Sequence, residues 1–330
     1  CRQRHLATPI SARLASLEPT PAFNAGPTPP PPRTVTEAIR QARNSLRLFR
    51  ESTAAETSAS APNGNTNSIT NGKPNDGTAH PNDDGTADTA ASNWPRRLII
   101  ELPMPSQRVG FLGRGSPPTD LVSLTDEADY PGGELQRFRV VRGLVEQLLE
   151  GYDSRFLGFL EDGADGVGLW SAGPHMSCVA NVSTATVPSL LKLLDGGYGG
   201  RVRSPGHCLV AVNPQWTDAG SVGQPWQWRL RRRAAAALHP PAWTTLYCCR
   251  VVRGSGRGGG RGSCGVLHRA WPHRWALYPA ATPDARCLGD CVLATPELPA
   301  QQLVLTRLNE ARPEMRKKAK EMGLDEPGWF

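Results

Sequence analysis

Residues 208–216 read CLVAVNPQW. Cys208 to Val212 form an apolar run without a charge or a polar break, as a strand buried on both faces requires. The run stops in Asn213, Pro214, Gln215 and Trp216. Pro214 restricts the residue before it and favours an extended Asn213. In open α/β sheets, ligands lie outside the carboxyl ends of the strands. The Asn213 and Gln215 amides can therefore read a polar ligand, or they can tie down neighbouring loops. Trp216 can stack on a base or cap the core.

The segments around this strand alternate in period. Upstream, TVTEAIRQARNSLRLF opens with Thr34 and Glu37 in a capping box, followed by Val35, Ala38, Ile39, Ala42, Leu46 and Phe49 at helical spacing. RRLIIELPMP is a strand stopped by Pro103. DYPGGELQRFRVVRGLVEQLLEG is a second helix, with Leu135, Phe138, Val141, Leu144, Leu148 and Leu149 as its buried stripe and Gly151 after its end. GVGLW and SCVANVS read as strands and TVPSLLKLLDGG as a helix. Downstream come a basic helix from Trp226 to Leu238 and three strands, WTTLYCCRVVR, CGVLHRAW and RWALYPA. PAQQLVLTRLNEAR is a last helix. The fold class that follows is α/β: a mostly parallel sheet flanked by helices, with a strand-rich antiparallel C-terminal extension. The expected organisation is one domain over 34–311. A disordered insertion at 52–93, rich in Ser, Thr, Asn, Gly and Asp, interrupts it, and a charged tail follows at 312–330. Residues 1–33 are Arg-, Ser- and Pro-rich with a single acid, the composition of a transit-peptide remnant or of a disordered terminus. The first residue is Cys1, which points to a fragment or a processed form.

Composition narrows the classes. The 330 residues are 20% charged and 38% apolar, a globular profile. The 8 cysteines lack any C-x-x-C and any even spacing, which suits a reducing compartment. No stretch of 18 apolar residues is present, so no membrane span is expected. The net charge of +7 is one-sided: between Asp218 and Asp284 there are ten arginines and no acid, so the rest of the chain carries −3. Within that stretch Arg229, Arg231, Arg232, Arg233, Arg253, Arg257 and Arg261 form a candidate surface for an anionic partner. The bias of 32 Arg against 5 Lys reflects codon usage, but codon usage does not remove acids.

Other constellations are weaker. Gly132 and Gly133 free the backbone N–H groups that open the second helix, an arrangement that can hold an anion. GSGRGGGRG at 254–262 contains G-x-G-x-x-G, but no apolar helix follows it. It reads as a hairpin loop whose Arg-Gly pairs also suit RNA. Cys264, His268, His273, Cys287 and Cys291 are metal-ligand types at irregular spacing, and no metal is expected. Glu161, Asp162 and Asp165 crowd one turn, which reads as a solvated loop. No nucleophile elbow, P-loop or zinc-protease motif is present, and no cofactor is expected.

Taken in order, PPRTVTEAIRQARNSL, RRLIIELPMP, DYPGGELQRF, EDGADGVGLW and CLVAVNPQW resemble the plant and algal chloroplast family known as domain of unknown function number 1995. The resemblance runs from Pro31 to Trp216 apart from the insertion, and beyond it rests on the W-x-x-Y strand at Trp275 to Tyr278. The family often has a Gly-rich, acid-containing stretch after the box, where this chain has TDAGSVGQPWQWRLRRR. The resemblance implies a nuclear-encoded plastid protein in the stroma or on the stromal face of the thylakoid. It is similar to low-photosystem-II-accumulation factors, and it brings no catalytic residues. The expected function is a non-enzymatic factor that binds protein partners, with an anionic lipid surface as a peripheral docking site. Two alternatives stay open: a nucleotide- or phosphate-ligand domain or enzyme at Asn213, Gln215, Trp216, Gly132 and Gly133, and RNA binding through the Arg-rich segment.

Overall fold

The computed structural model describes residues 28–59, 96–104, 133–161, 163, 166–216, 222–224, 226–238, 242–253, 263–282 and 287–324. The chain forms α1 (Val35–Ala59), β1 (Arg96–Glu101), α2 (Gly133–Leu148), β2 (Ser154–Phe159), β3 (Gly168–Ala172) and β4 (Met176–Ala180). These are followed by α3 (Val187–Leu194), β5 (Cys208–Val212), α4 (Trp228–Leu238), β6 (Thr244–Arg253), β7 (Cys264–Ala270), β8 (Trp275–Ala280), β9 (Leu293–Thr295) and α5 (Gln301–Glu321). The strands make one sheet in the order β2-β3-β4-β5-β1-β6-β7-β8-β9.

The centre of that sheet is parallel. β5 pairs in parallel with β4 and with β1, and β1 pairs in parallel with β6. All five residues of β5 are buried. Cys208, Val210 and Val212 face a core shared with α1 and α2, whereas Leu209 and Ala211 face a second core shared with α3 and α4. This period of two, apolar in both phases, is why an uninterrupted hydrophobic run signals a central strand. β6, β7, β8 and β9 continue as the antiparallel extension. A second antiparallel arm, β2-β3-β4, flanks the other side of the parallel centre.

β2 was not legible as a strand. It is an edge strand with no buried residue, and its register shifts next to Gly158 at φ 119°. Its Phe156 and Phe159 join Phe138 and Trp170 in an aromatic cluster. Gly168 is required there: a Cβ would sit 2.5 Å from the Phe138 ring and 2.8 Å from Trp170.

Three expectations need correction. The capping box is formed, with Glu37 N–H donating to Thr34 Oγ1 at 3.0 Å and Arg33 N–H to Glu37 Oε2 at 2.8 Å. However, α1 runs on to Ala59, into the span read as an insertion, while residues 60–95 lie outside the described residues. Leu135 is 40% exposed and does not belong to the α2 stripe, which Val145 joins instead. Finally, α5 continues through Pro313 to Glu321 where a charged tail was expected. Met315 and Ala319 pack against Ala281 and Cys287, so the charges there lie on the outer face of an amphipathic helix.

Candidate functional site

Two asparagines end neighbouring parallel strands with a left-handed backbone: Asn181 after β4 at φ 64° and Asn213 after β5 at φ 48°. The proline rule favoured an extended Asn213, and the structure departs from it. The reason is visible in the side chain. Leu102 N–H donates to Asn213 Oδ1 at 2.6 Å, and Asn213 Nδ2 donates to Leu102 O at 3.0 Å. Asn213 N–H also donates to Ile100 O at 2.9 Å. The carboxamide thus imitates one more pair of β5–β1 ladder bonds where the strands stop, and this pairing offsets the modest cost of the left-handed backbone.

Asn181 ties the helix above the sheet to the strand ends. Its Nδ2 lies 3.1 Å from Glu134 O, 3.2 Å from Glu134 Oε2 and 3.3 Å from Gly166 O. Arg137, buried one turn further along α2, reaches Asn213 O at 3.4 Å. The sequence reading grouped the box with the glycine turn before α2 as one candidate site, and here the start of α2 meets the strand ends through Glu134 and Arg137. Gly133 is the first residue of α2, while Gly132 lies outside the described residues. Asn181 and Arg137 were not singled out in the sequence. Asn181 carried a usable signal, because SCVAN and CLVAVN are both apolar runs closed by asparagine.

The rest of the box is also engaged. Gln215 N–H donates to Val182 O at 2.7 Å, and Gln215 O accepts from Thr184 Oγ1 at 3.2 Å. The Trp216 ring packs at 5.2 Å from Trp243, against the α3–α4 core. The Gln215 side chain remains half-exposed.

The arginine segment has a different character. On α4, Ala234 and Leu238 are buried and the other face is open. Arg231 Nε donates to Val222 O at 3.3 Å, and Arg233 pairs with Asp195 at the end of α3. Arg229 stacks over the Trp228 ring at 5.3 Å, and Arg232 is exposed. Arg253 ends β6 in an exposed position, whereas Arg257, Arg261 and the glycine loop lie outside the described residues. The sequence reading overlooked the tryptophans. Trp226 is 74% exposed and Trp228 60% exposed, beside these arginines. The first turn of α4 contains no acid. Cations at a helix N-terminus oppose the helix dipole, by about 0.3–1 kcal/mol each where exposed. Their placement therefore does not serve the helix, and an external anion would relieve it.

The cysteines and histidines do not converge. His268 is fully buried, with Nδ1 3.0 Å from Cys248 O, and burial lowers its pKa to about 4. Cys264 Sγ contacts the carbonyls of Ala280 and Thr282, and Cys291 Sγ that of Leu293. Among the described residues no three His, Cys, Asp or Glu side chains gather as metal ligands. Glu161 binds Tyr198 and Lys192, while Asp162 and Asp165 lie outside the described residues.

Set against known proteins, the chain matches a family model described as Domain of unknown function (DUF1995) over residues 32–303. No curated protein and no solved structure matches it.

Proposed function

The chain belongs to the DUF1995 family, and we propose that it is a non-enzymatic plastid factor that binds protein partners while docked on an anionic membrane surface, the stromal face of the thylakoid. The observation that carries this reading is the pairing of exposed Trp226 and Trp228 with Arg229 and Arg232 at the start of α4. Indole rings prefer the headgroup level of a bilayer, where one edge is apolar and the other wet. Each arginine near an anionic leaflet contributes about 1 kcal/mol. Two rings and two or three guanidiniums give reversible, salt-sensitive attachment. No helix among the described residues is long and apolar enough to cross a membrane. Assistance to photosystem assembly is the role that the resemblance to low-photosystem-II-accumulation factors adds.

The engagement of Asn213 and Gln215 with the backbone favours this reading over a ligand cleft at the box. Indole and guanidinium groups together also suit stacking on unpaired bases. The test is co-sedimentation of the protein with vesicles of neutral and of anionic lipid, with and without single-stranded RNA as competitor. Binding to anionic vesicles that RNA does not displace supports the membrane reading. Binding to RNA alone replaces it.

A further inference from the structure

We propose that a groove on the opposite side of the sheet, between α1 and the turn joining α2 to β2, binds a ligand carrying two or more phosphate groups. Arg40, Arg43, Arg47 and Arg50 recur at spacings of three, four and three, so they share one face of α1. The other face of α1 buries Ala38, Ile39, Ala42 and Leu46. The four arginines line a cavity of about 700 Å³ whose far wall is Glu150, Gly151 and Tyr152.

Three of the four guanidiniums are held in place. Arg43 Nη1 lies 3.2 Å from Glu150 Oε2, and Arg43 Nη2 also binds the Glu150 carbonyl. Arg47 Nη1 lies 2.7 and 2.9 Å from the two Glu51 oxygens, and its Nη2 donates to Asn44 Oδ1 at 2.9 Å. Arg50 stacks over the Tyr152 ring at 5.2 Å. Arg40 is the most loosely held, its side chain 79% exposed with a single ion pair at 3.9 Å to Glu37.

Charge and spacing define the ligand. Four guanidiniums and two carboxylates line the groove, an excess of two positive charges. A guanidinium has five N–H donors, so the carboxylates orient Arg43 and Arg47 without exhausting them. Arg40 to Arg50 spans about 15 Å at 1.5 Å per residue. A row of this length is several times the width of one phosphate group, so a ligand with two or more linked phosphates matches it better than a single one. Arginine is the residue suited to bidentate phosphate contacts. Like charges three and four residues apart destabilise an isolated helix, so the row opposes the stability of α1.

The experiment is calorimetric titration of the full chain with inorganic tripolyphosphate and with inorganic phosphate. The expected result is one tripolyphosphate per chain, with inorganic phosphate about tenfold weaker or more. Arg40→Gln with Arg50→Gln weakens tripolyphosphate about tenfold or more, and Trp226→Ser with Trp228→Ser leaves it unchanged. Should the arginine variant fail to fold, Glu150→Gln decides: it removes one of the two negative charges of the groove while the Glu150 carbonyl still holds Arg43, so binding tightens. A second arm adds vesicles containing phosphatidylinositol bisphosphate. Displacement of tripolyphosphate from the groove assigns the ligand to a lipid headgroup, and no displacement assigns it to a soluble polyphosphate. Absence of tripolyphosphate binding overturns the proposal, as does binding that neither the arginine variant nor Glu150→Gln alters.

Discussion

Asn213 and Leu102 are joined by two hydrogen bonds, one in each direction, between a side-chain amide and a peptide group. The pair extends the pairing of β5 and β1 beyond the last partners of their ladder, Ile100 and Val212. Both residues are buried, so water does not replace the bonds if they are lost.

Asn213→Ala therefore leaves a buried N–H and a buried carbonyl unpaired, and we expect it to destabilise the fold by about 2–4 kcal/mol. Asn213→Gly removes the same bonds but accepts the φ of 48° without strain, so it recovers about 1 kcal/mol of that loss. Urea unfolding of the three proteins measures both. A loss below about 0.5 kcal/mol in Asn213→Ala contradicts a clamping role.

His268 makes stability depend on acid. Burial holds its pKa at about 4 against an ordinary 6.5. The folded state thus resists a proton that the unfolded chain accepts. The stability from neutral His268 is present in full above pH 6.5 and is lost as pH falls toward about 4. That interval corresponds to about 3 kcal/mol. Unfolding followed across this range should show a steep decline, and a shallower one in His268→Leu. Equal slopes would assign the acid sensitivity to other groups.

The second half of α5 is structural. A chain ending at Arg312 lacks Met315 and Ala319, which are buried against Ala281 and Cys287. We expect it to lose about 2–5 kcal/mol, with Met315→Ala giving the smaller part. A thermal midpoint identical to that of the full chain would make residues 313–321 dispensable.

The parallel centre of the sheet was legible because β5 is apolar in both phases and β4 nearly so, in runs too short for a buried helix. β2 was hidden because an edge strand alternates weakly and its bulge at Gly158 breaks even that alternation. The tail was misread because charge dominates residues 312–321, while the two contacts that hold them, Met315 and Ala319, are sparse and distant in sequence from their partners. At the candidate site, the box was legible as a place, but the role of its amide was not. Whether an asparagine faces a ligand or a backbone depends on Leu102, 111 residues away. The arginines of α4 stood out by the absence of acids, whereas Trp226 and Trp228 carried no signal in the sequence, because an indole can lie buried or exposed and only the structure shows theirs in the open.

The most direct test of the account is sedimentation with anionic phosphatidylglycerol vesicles at low salt, comparing the wild-type chain with Trp226→Ser/Trp228→Ser. The account predicts that the wild type pellets with the vesicles and is released as salt rises, and that the double variant, folded to the same thermal midpoint, stays in the supernatant. A wild-type chain that ignores the vesicles at low salt, or a double variant that pellets equally well, would contradict it.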